Sequence, residues 1–430
     1  MKTDILIAGA GCSGLYCALQ LPKNMQVTIL TKSDLKSSDS FLAQGGICML
    51  REKDDYDSYF EDTMRAGHYE NDARSVDIMI RSSQKVIKDL LEYGVQFQRD
   101  DLGNLAFTKE GAHSKSRILF HKDVTGKEIT SRLLAQAQRS PNIRLLEYTT
   151  LIDILSKNNA CYGAVLRKAD GSVCALEASY TALACGGIGG LYRHSTNFRH
   201  LTGDALAIAK KHGVALKNMD YVQIHPTTFY SPNSEERSFL ISESVRGEGA
   251  KLYDKNMRRF VNELLPRDQL TAAIFAQMKK DETDHVWEDL RTIPADELKR
   301  HFPNIVAYCA SMGYDVTKEC IPVVPAQHYF MGGIKVDHDS RTSMSQLYAI
   351  GETACNGVHG KNRLASNSLL ESLVFAARAA KDMAANIQDT KKDPNLFASF
   401  DASSYQDAYA LEQEYKKTVL NEIQKQEFAL

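Results

Sequence analysis

The strongest constraint on the fold of this chain is a glycine-rich turn between a strand and a helix near its start. Residues 4–8, DILIA, form a short apolar run, and Gly9-x-Gly11-x-x-Gly14 follows it directly. Apolar residues then recur at helical spacing in LYCALQL, and VTIL at 27–30 is a second β-rich run. This order of strand, turn, helix and strand predicts the beginning of a doubly wound α/β domain.

The same turn predicts a dinucleotide site, because glycines let the backbone approach a pyrophosphate at the helix N-terminus. An NAD site normally adds an acidic residue at the end of the second strand, but Thr31-Lys32 stands there. Further glycine turns occur at 184–187 and at Gly351-Glu352, where Glu352 could accept a hydrogen bond from a ligand hydroxyl. Taken singly each turn could be purely structural, but together they favour one long ligand such as FAD.

Bulk properties exclude several classes of function. The formal net charge is −2, from 52 basic and 54 acidic residues, so no basic footprint for nucleic acid is present. No apolar run approaches the roughly 20 residues that span a bilayer. The nine cysteines are an odd number and include no CxxC, which argues against a disulfide framework and against a zinc or iron–sulfur site. We therefore expect a cytoplasmic protein without a bound metal.

The composition of the chain changes between 219 and 330, a segment that holds seven of the 10 prolines. We expect a Rossmann-like α/β domain in two parts, 1–218 and 331–395, split by an inserted α+β domain at 219–330. A short C-terminal helical segment, 396–430, would follow. The predicted helices are 72–93, 203–213, 268–280, 295–302, 304–313, 366–387 and 405–428, and the predicted strands include 143–155 and 161–168 with a hairpin turn between them.

Four segments combine histidine or arginine with residues typical of tight turns. They are 223–227 (QIHPT), 266–268 (PRD), 326–329 (AQHY) and 359–363 (HGKNR). Arginine offers a planar fork to a carboxylate and histidine a directional N–H, so these segments together could neutralise a dicarboxylate. The alternative is that each histidine is a satisfied core residue and each arginine part of a surface ion pair.

These segments resemble motifs of the succinate dehydrogenase/fumarate reductase flavoprotein family. The resemblance rests on HGKNRLASNSLLESLVFAARA, QIHPTTFY, SESVRGEGA, PRD and AQHYFMGGIKVD, and it extends from about residue 3 to 385. It implies an FAD-binding domain interrupted by a capping domain, with the active site between them. The cofactor contacts that it implies are Gly9, Gly11, Cys12, Ser13, Gly14, Lys32, Ser40, Ala43, Gln44, Gly45, Gly46, Thr150, Leu151, Asp204, Glu352, Ser368 and Leu369.

The resemblance also implies a substrate site. His225, Ser242, His328 and Arg363 would hold the substrate carboxylates, and Arg267 would be the residue of proton transfer. A guanidinium is normally always protonated, so Arg267 could instead act as an electrostatic clamp.

Residues 108–114, TKEGAHS, are similar to the segment of those family members that oxidise L-aspartate to iminoaspartate, a step toward quinolinate and NAD. Glu110 would pair with the substrate ammonium, and hydride would pass from C2 to flavin N5. Oxygen or fumarate would reoxidise the flavin. Two alternatives remain open: a soluble fumarate reductase or succinate dehydrogenase-like flavoprotein, and a catalytically silent flavin-binding protein.

Membrane-bound relatives attach FAD through a histidine, whereas Asp39 stands at that place here. A carboxylate cannot form the histidyl link, so the resemblance implies non-covalent FAD. Contact with quinolinate synthase is a further expectation. Full-length relatives continue into a C-terminal helical bundle, of which 405–428 would be only a part.

Overall fold

The computed structural model describes residues 2–232 and 236–427. Sixteen strands are formed within these residues: β1 Lys2–Ala8, β2 Val27–Leu30, β3 Ile47–Cys48, β4 Ile118–Leu119, β5 Ile143–Leu146, β6 Thr150–Lys157, β7 Ala160–Arg167, β8 Val173–Leu183, β9 Leu216–Lys217, β10 Val222–Phe229, β11 Lys251–Tyr253, β12 Val286–Asp289, β13 Ile321–Phe330, β14 Gly333–Lys335, β15 Leu347–Ala349 and β16 Ala354–Cys355.

Thirteen α-helices are formed within the same ranges: α1 Cys12–Gln20, α2 Asp39–Leu42, α3 Tyr56–Ala66, α4 Ala73–Glu92, α5 Thr125–Arg139, α6 Asp204–Lys211, α7 Glu243–Gly247, α8 Arg267–Asp281, α9 Ala295–His301, α10 Pro303–Ser311, α11 Asn367–Asn386, α12 Pro394–Ala398 and α13 Ala408–Glu427. None of the helices in the described part of the chain has the length and apolar character that a membrane span requires.

A seven-stranded sheet forms the centre of the fold. Its order is β5-β2-β1-β8-β7-β6, and β15 pairs with β8 outside this path. The pairs among β5, β2, β1, β8 and β15 are parallel, and those joining β8, β7 and β6 are antiparallel. Strand β1 is almost wholly buried because helices cover both faces of a parallel sheet. The predicted α/β class is therefore confirmed.

Two hydrophobic cores lie on the two faces of this sheet. One joins β1 and β2 to α1, α4, α5 and α11. The other includes α6 and the inner side chains of α13, namely Tyr415, Val419 and Ile423. We call this sheet and the helices that cover it the α/β body. The C-terminal helix α13 packs against it, on the face that α6 also covers.

Residues 222–330 form a second unit, which we call the antiparallel unit. Its four-stranded sheet has the order β10-β13-β12-β11, with every pair antiparallel, and it has its own hydrophobic core that includes residues of α8, α9 and α10. The chain enters this unit after β9 and leaves it before β14, and these two strands pair with each other. The exact boundaries of the predicted domains stay a prediction.

The predicted strand 143–155 was wrong, because two strands occupy this run. The run 143–155 is not a single strand, because the chain turns between β5 and β6, where Tyr148 has φ +48°. The predicted hairpin turn after it is present, and Asn158 and Asn159 both have positive φ there, as a two-residue turn of the favoured hand requires.

Candidate active site

One large cleft is lined by residues of both the α/β body and the antiparallel unit. It encloses about 1710 Å³, its open mouth included. Every residue that the sequence predicted for cofactor or substrate lines this cleft, with the exception of Gly14. Residues far apart in the sequence therefore meet at one site.

The glycine turn lies at one end of the cleft, where α1 begins. A Cβ on Gly9 would lie 1.9 Å from the Ala184 carbonyl oxygen, so only glycine allows the two loops to approach. Gly11 is the N-cap of α1 and has no side chain to cap it, while Ser40 Oγ accepts from the Cys12 N–H at 3.0 Å. The first turn of α1 therefore faces the cleft as a site for an anion, as a pyrophosphate requires.

Gly14 has a different position from the one predicted. It lies under the turn, where a Cβ would be 2.0 Å from the Gly9 carbonyl oxygen. Its contribution is the close packing of α1 on β1, which is the usual reason for the third glycine of such a turn.

Polar groups line the cleft beyond the turn. Lys32 Nζ donates to Asp204 Oδ2 at 2.8 Å, and Glu352 Oε1 accepts from the Phe330 N–H at 2.9 Å. Burial raises the pKa of Glu352 to about 8. These groups offer acceptors for the hydroxyls of a nucleotide, which is the role that the sequence predicted for Glu352.

Several buried polar atoms at the cleft have no hydrogen-bond partner in the described residues: Ser38 Oγ, Asp39 Oδ2, Gln44 Oε1, His225 Nε2 and Arg363 Nε. Buried polar groups are nearly always hydrogen-bonded, so these atoms indicate a polar ligand. Together with the glycine turn they fit FAD at one end of the cleft and a smaller polar molecule at the other.

Two histidines from neighbouring strands face each other at the substrate end. The rings of His225 on β10 and His328 on β13 have centroids 5.1 Å apart. His225 Nδ1 lies 3.2 Å from the Thr227 nitrogen and 2.9 Å from its carbonyl oxygen, and His328 Nδ1 lies 2.8 Å from Thr196 Oγ1. Burial, and then Arg267, hold the pKa of both imidazoles well below the usual range, so both are neutral near pH 7.

Arg363 approaches the same place from the α/β body. Its Nη1 donates to Ser368 Oγ at 3.0 Å, and its guanidinium carbon lies 4.7 Å from the centre of the Tyr329 ring. Burial, and then Arg267, lower the pKa of Arg363 to about 10, so it remains a cation. Ser242, the N-cap of α7, lines the cleft beside these groups.

Arg267 is the first residue of α8, and two side chains fix its guanidinium. Its Nε donates to Glu243 Oε2 at 2.6 Å, and its Nη1 donates to Gln223 Oε1 at 2.9 Å. Burial alone would raise the pKa of Glu243, but Arg267 and Arg246 hold it below its ordinary value. The Arg267–Glu243 pair therefore exists as a buried ion pair.

Glu110 enters the cleft from a loop of the α/β body. Its Oε1 accepts from Ser244 Oγ at 3.0 Å, and its Oε2 accepts from Ser366 Oγ at 2.7 Å. Gly45 makes room for it, since a Cβ there would lie 2.9 Å from Glu110 Oε1. The carboxylate is thus held at both oxygens.

A buried ionic network fixes the Glu110 loop. Arg117 is fully buried and donates to Asp62 Oδ2 at 2.7 Å and to Asp55 Oδ1 at 3.0 Å. Ser114 donates to Asp62 from both its N–H and its Oγ at 2.7 Å. Since removing one member of such a network leaves a buried charge unpaired, the loop is strongly held in this position.

The sequence alone missed four residues that hold the predicted ones. Gln223 and Glu243 orient Arg267, while Ser244 and Ser366 hold Glu110. Glu243 could have been found as the acid next to Ser242 in a segment of cationic character. The two serines gave no signal, because a hydroxyl in a turn usually has a local role.

Comparisons with known proteins agree with this geometry. A family model described as an FAD binding domain matches residues 4–369. An L-aspartate oxidase of Clostridium perfringens is 48% identical over 380 residues, which are 88% of this chain and 86% of that protein. An L-aspartate oxidase of Clostridium acetobutylicum is 45% identical over 402 residues, or 93% of this chain and 92% of the relative.

A solved structure of an E. coli quinol fumarate reductase variant superposes with a TM-score of 0.87 at 28% identity, covering 96% of this chain and 74% of that one. The predicted Rossmann-like fold with an inserted unit is therefore the fold of known flavoproteins. With a match of the FAD binding domain over most of its length and relatives at these identities, the chain belongs to the L-aspartate oxidases of the succinate dehydrogenase/fumarate reductase flavoprotein family.

Proposed function

We propose that this protein oxidises L-aspartate to iminoaspartate, with FAD as the acceptor of the substrate hydride. The observation that carries the proposal is the environment of Glu110. This side chain is buried at the cleft and makes no ion pair within 4.0 Å among residues 2–232 and 236–427. A buried carboxylate without a cation is unfavourable, so the missing cation comes with the ligand, as the α-ammonium group of aspartate does.

The remaining residues of the substrate end suit the two carboxylates of aspartate. In this proposal His225, Ser242, His328 and Arg363 hold them. His225 Nδ1 is occupied by the Thr227 backbone, so Nε2, which has no partner in the described residues, is the ring nitrogen left for the substrate. Arg363 adds positive charge. Succinate or fumarate would satisfy these groups equally, so Glu110 is the residue that distinguishes an amino dicarboxylate from them.

Arg267 has an electrostatic role in the proposal. Its cationic guanidinium is held by Glu243 and Gln223, within electrostatic reach of both histidines. Such a group stabilises negative charge on the substrate without transferring a proton itself. His225 and His328 are both neutral and add no positive charge. The cations at the substrate end are therefore Arg267 and Arg363.

FAD would be held by the predicted cofactor residues that line the cleft, from the glycine turn to Ser368 and Leu369. When bound there, it supplies a two-electron acceptor that oxygen or fumarate can regenerate. Asp39 has a carboxylate where a covalent histidyl link would need an imidazole, so the proposal is for non-covalent FAD.

The domain division 1–218 and 331–395, 219–330 and 396–430 forms part of the proposal, with the second as a capping domain over the cleft. Its support is that the antiparallel unit supplies His225, Ser242, Arg267 and His328 to the cleft, while the α/β body supplies Glu110 and Arg363. We also propose a cytoplasmic location and transfer of the unstable imine to quinolinate synthase.

The test is an anaerobic titration of the purified yellow protein with L-aspartate, monitored by flavin absorbance. Bleaching by aspartate at concentrations where succinate has little effect is the expected result. Bleaching by succinate and not by aspartate would assign a succinate dehydrogenase-like activity instead. A flavin that neither compound reduces would overturn the proposal and leave a flavin-binding protein without this catalysis.

A further inference from the structure

Ser366 has a backbone conformation that its side chain does not favour. Its φ is +61°, in the left-handed region where glycine is the usual residue. The residue is buried and directly precedes α11, yet its hydroxyl does not cap that helix. A serine in this strained conformation whose hydroxyl does not cap the helix indicates that the hydroxyl has another role.

The hydroxyl joins the Glu110 carboxylate to the segment predicted to bind the cofactor. Ser366 Oγ donates to Glu110 Oε2 at 2.7 Å and accepts from the Gly46 N–H at 3.1 Å. The Ser366 carbonyl oxygen in turn accepts from the Cys48 N–H at 3.1 Å. Since a hydroxyl has one hydrogen, accepting from Gly46 directs that hydrogen to Glu110.

Ser366 therefore determines how the carboxylate is oriented. The last torsion of a glutamate side chain is broad, so an unheld carboxylate samples many orientations. Ser244 holds Oε1 at 3.0 Å from the antiparallel unit, and Ser366 holds Oε2 at the shorter distance from the α/β body. A carboxylate fixed at both oxygens presents its remaining lone pairs in one direction before the substrate arrives, which lowers the cost of binding.

We propose that Ser366 is a positioning residue that gives this site its preference for an amino dicarboxylate over a plain one. The inference rests on the proposed function, because it assigns Ser366 a role only through Glu110 and the substrate ammonium. The substrate carboxylates are bound by other groups, so their recognition does not depend on Ser366. Loss of its hydroxyl weakens aspartate binding and leaves succinate and fumarate binding nearly unchanged.

The experiment compares Ser366→Gly with the wild-type holoenzyme. Glycine removes the hydroxyl and adopts φ +61° without strain, so the variant is expected to fold. We expect KM for aspartate to rise about tenfold, as the loss of one hydrogen bond to a charged group implies. The kcat for aspartate and the KM for fumarate should each change by less than about twofold, within the spread of a near-neutral substitution.

Ser340→Gly is the matched control. Ser340 also has a left-handed backbone, with φ +64°, is fully buried, and donates its hydroxyl to the Phe375 carbonyl oxygen at 3.2 Å. The substitution therefore removes the same group from the same kind of backbone at a position outside the cleft lining. Its ratio of aspartate to fumarate activity should equal that of the wild type, whatever happens to its stability.

A Ser366→Gly protein with wild-type selectivity, or with equal losses on aspartate and fumarate, overturns the inference. Ser366→Ala is measured beside it, and because it lacks the same hydroxyl it must show the same selective loss. The bound fraction of FAD, read from the absorbance spectrum, separates a defect at Gly46 from one at Glu110. A wild-type protein that does not oxidise aspartate defeats the proposed function itself, before any variant is compared.

Discussion

Arg267 and Glu243 form a buried ion pair in which Nε and Oε2 are 2.6 Å apart and each side chain is only 10% exposed. Glu243 and Gln223 together fix the plane of the guanidinium next to the two substrate-end histidines. A lysine cannot reproduce a fork held by two acceptors. The two residues that hold Arg267 directly therefore both belong to the antiparallel unit.

From this pair we predict that Arg267→Lys lowers kcat for aspartate at least about a hundredfold, the usual cost of losing a preorganised donor. Glu243→Gln should lower it less, because the hydrogen bond persists without the charge. Steady-state assays with a dye acceptor measure both. Arg132→Lys, in a single-contact ion pair with Glu128 where Arg132 is 42% exposed, is the control and should be neutral. Unchanged turnover in Arg267→Lys would remove the clamp role.

Glu110→Gln should damage aspartate oxidation far more than fumarate reduction. The amide retains hydrogen bonding to Ser244 or Ser366 but cannot neutralise an ammonium group. We expect a loss of kcat/KM for aspartate of at least about a hundredfold, as for an unpaired buried charge. Glu92→Gln, at an exposed position near Lys88, is the control. Equal losses on both substrates would contradict the role assigned to Glu110.

Gly14→Ala should prevent formation of the yellow holoenzyme. Its Cβ would lie 2.0 Å from the Gly9 carbonyl oxygen, so α1 would have to move away from β1 and the glycine turn would open. Gly247→Ala is the matched control, because a Cβ there meets nothing within 4 Å. It should fold and gain roughly 0.5 kcal/mol from the entropy of the unfolded chain. Normal FAD content in Gly14→Ala would show that the turn tolerates the displacement.

The pH dependence of stability should change in Asp39→Asn. Burial raises the pKa of Asp39 to about 7, with a hydrogen bond from the Phe198 N–H opposing the rise. In the unfolded chain this carboxyl ionises near pH ~3.9. Between these values the folded protein retains a proton that the unfolded chain has released, so Asp39 destabilises the fold increasingly as pH rises.

Asp39→Asn removes that penalty, so its melting temperature should exceed the wild-type value by a few degrees near pH ~8 and equal it near pH ~4. Asp153→Asn should show the opposite behaviour. Burial would raise the pKa of Asp153, but His212, Lys211 and Tyr405 hold it below the usual range. Its loss should therefore cost most stability at neutral pH. A wild-type-like pH profile in Asp39→Asn would contradict the assignment.

The sequence was sufficient for the parts of the fold that local pattern controls. The glycine turn, the first strands and most helices could be placed because apolar spacing and turn residues act over a few positions. The break between β5 and β6 could not, since both strands continue one alternating pattern and the turn at Tyr148 has no glycine or proline. Strand β1 pairs with β8, whose partner residues lie 175 positions later, and no periodicity predicts such pairing.

The site was predictable where a motif carries its own chemistry. His225, Arg267, His328 and Arg363 belong to segments whose composition already suggested a dicarboxylate site, and all four line the cleft. Gly14 was predicted as a ligand contact because the turn was treated as a unit, whereas steric packing decides its position. Ser366 could not be found, since its importance lies in a hydrogen bond to a residue 256 positions away.

The carboxylate of Glu110, which makes no ion pair with another described residue, makes ligand binding a matter of charge balance. L-aspartate brings its own positive charge to the buried anion. Succinate or fumarate brings none, so its entry places a dianion beside that anion. These dianions should therefore bind Glu110→Gln more tightly than the wild type, whereas aspartate should bind it more weakly, and isothermal titration of both proteins measures the two changes.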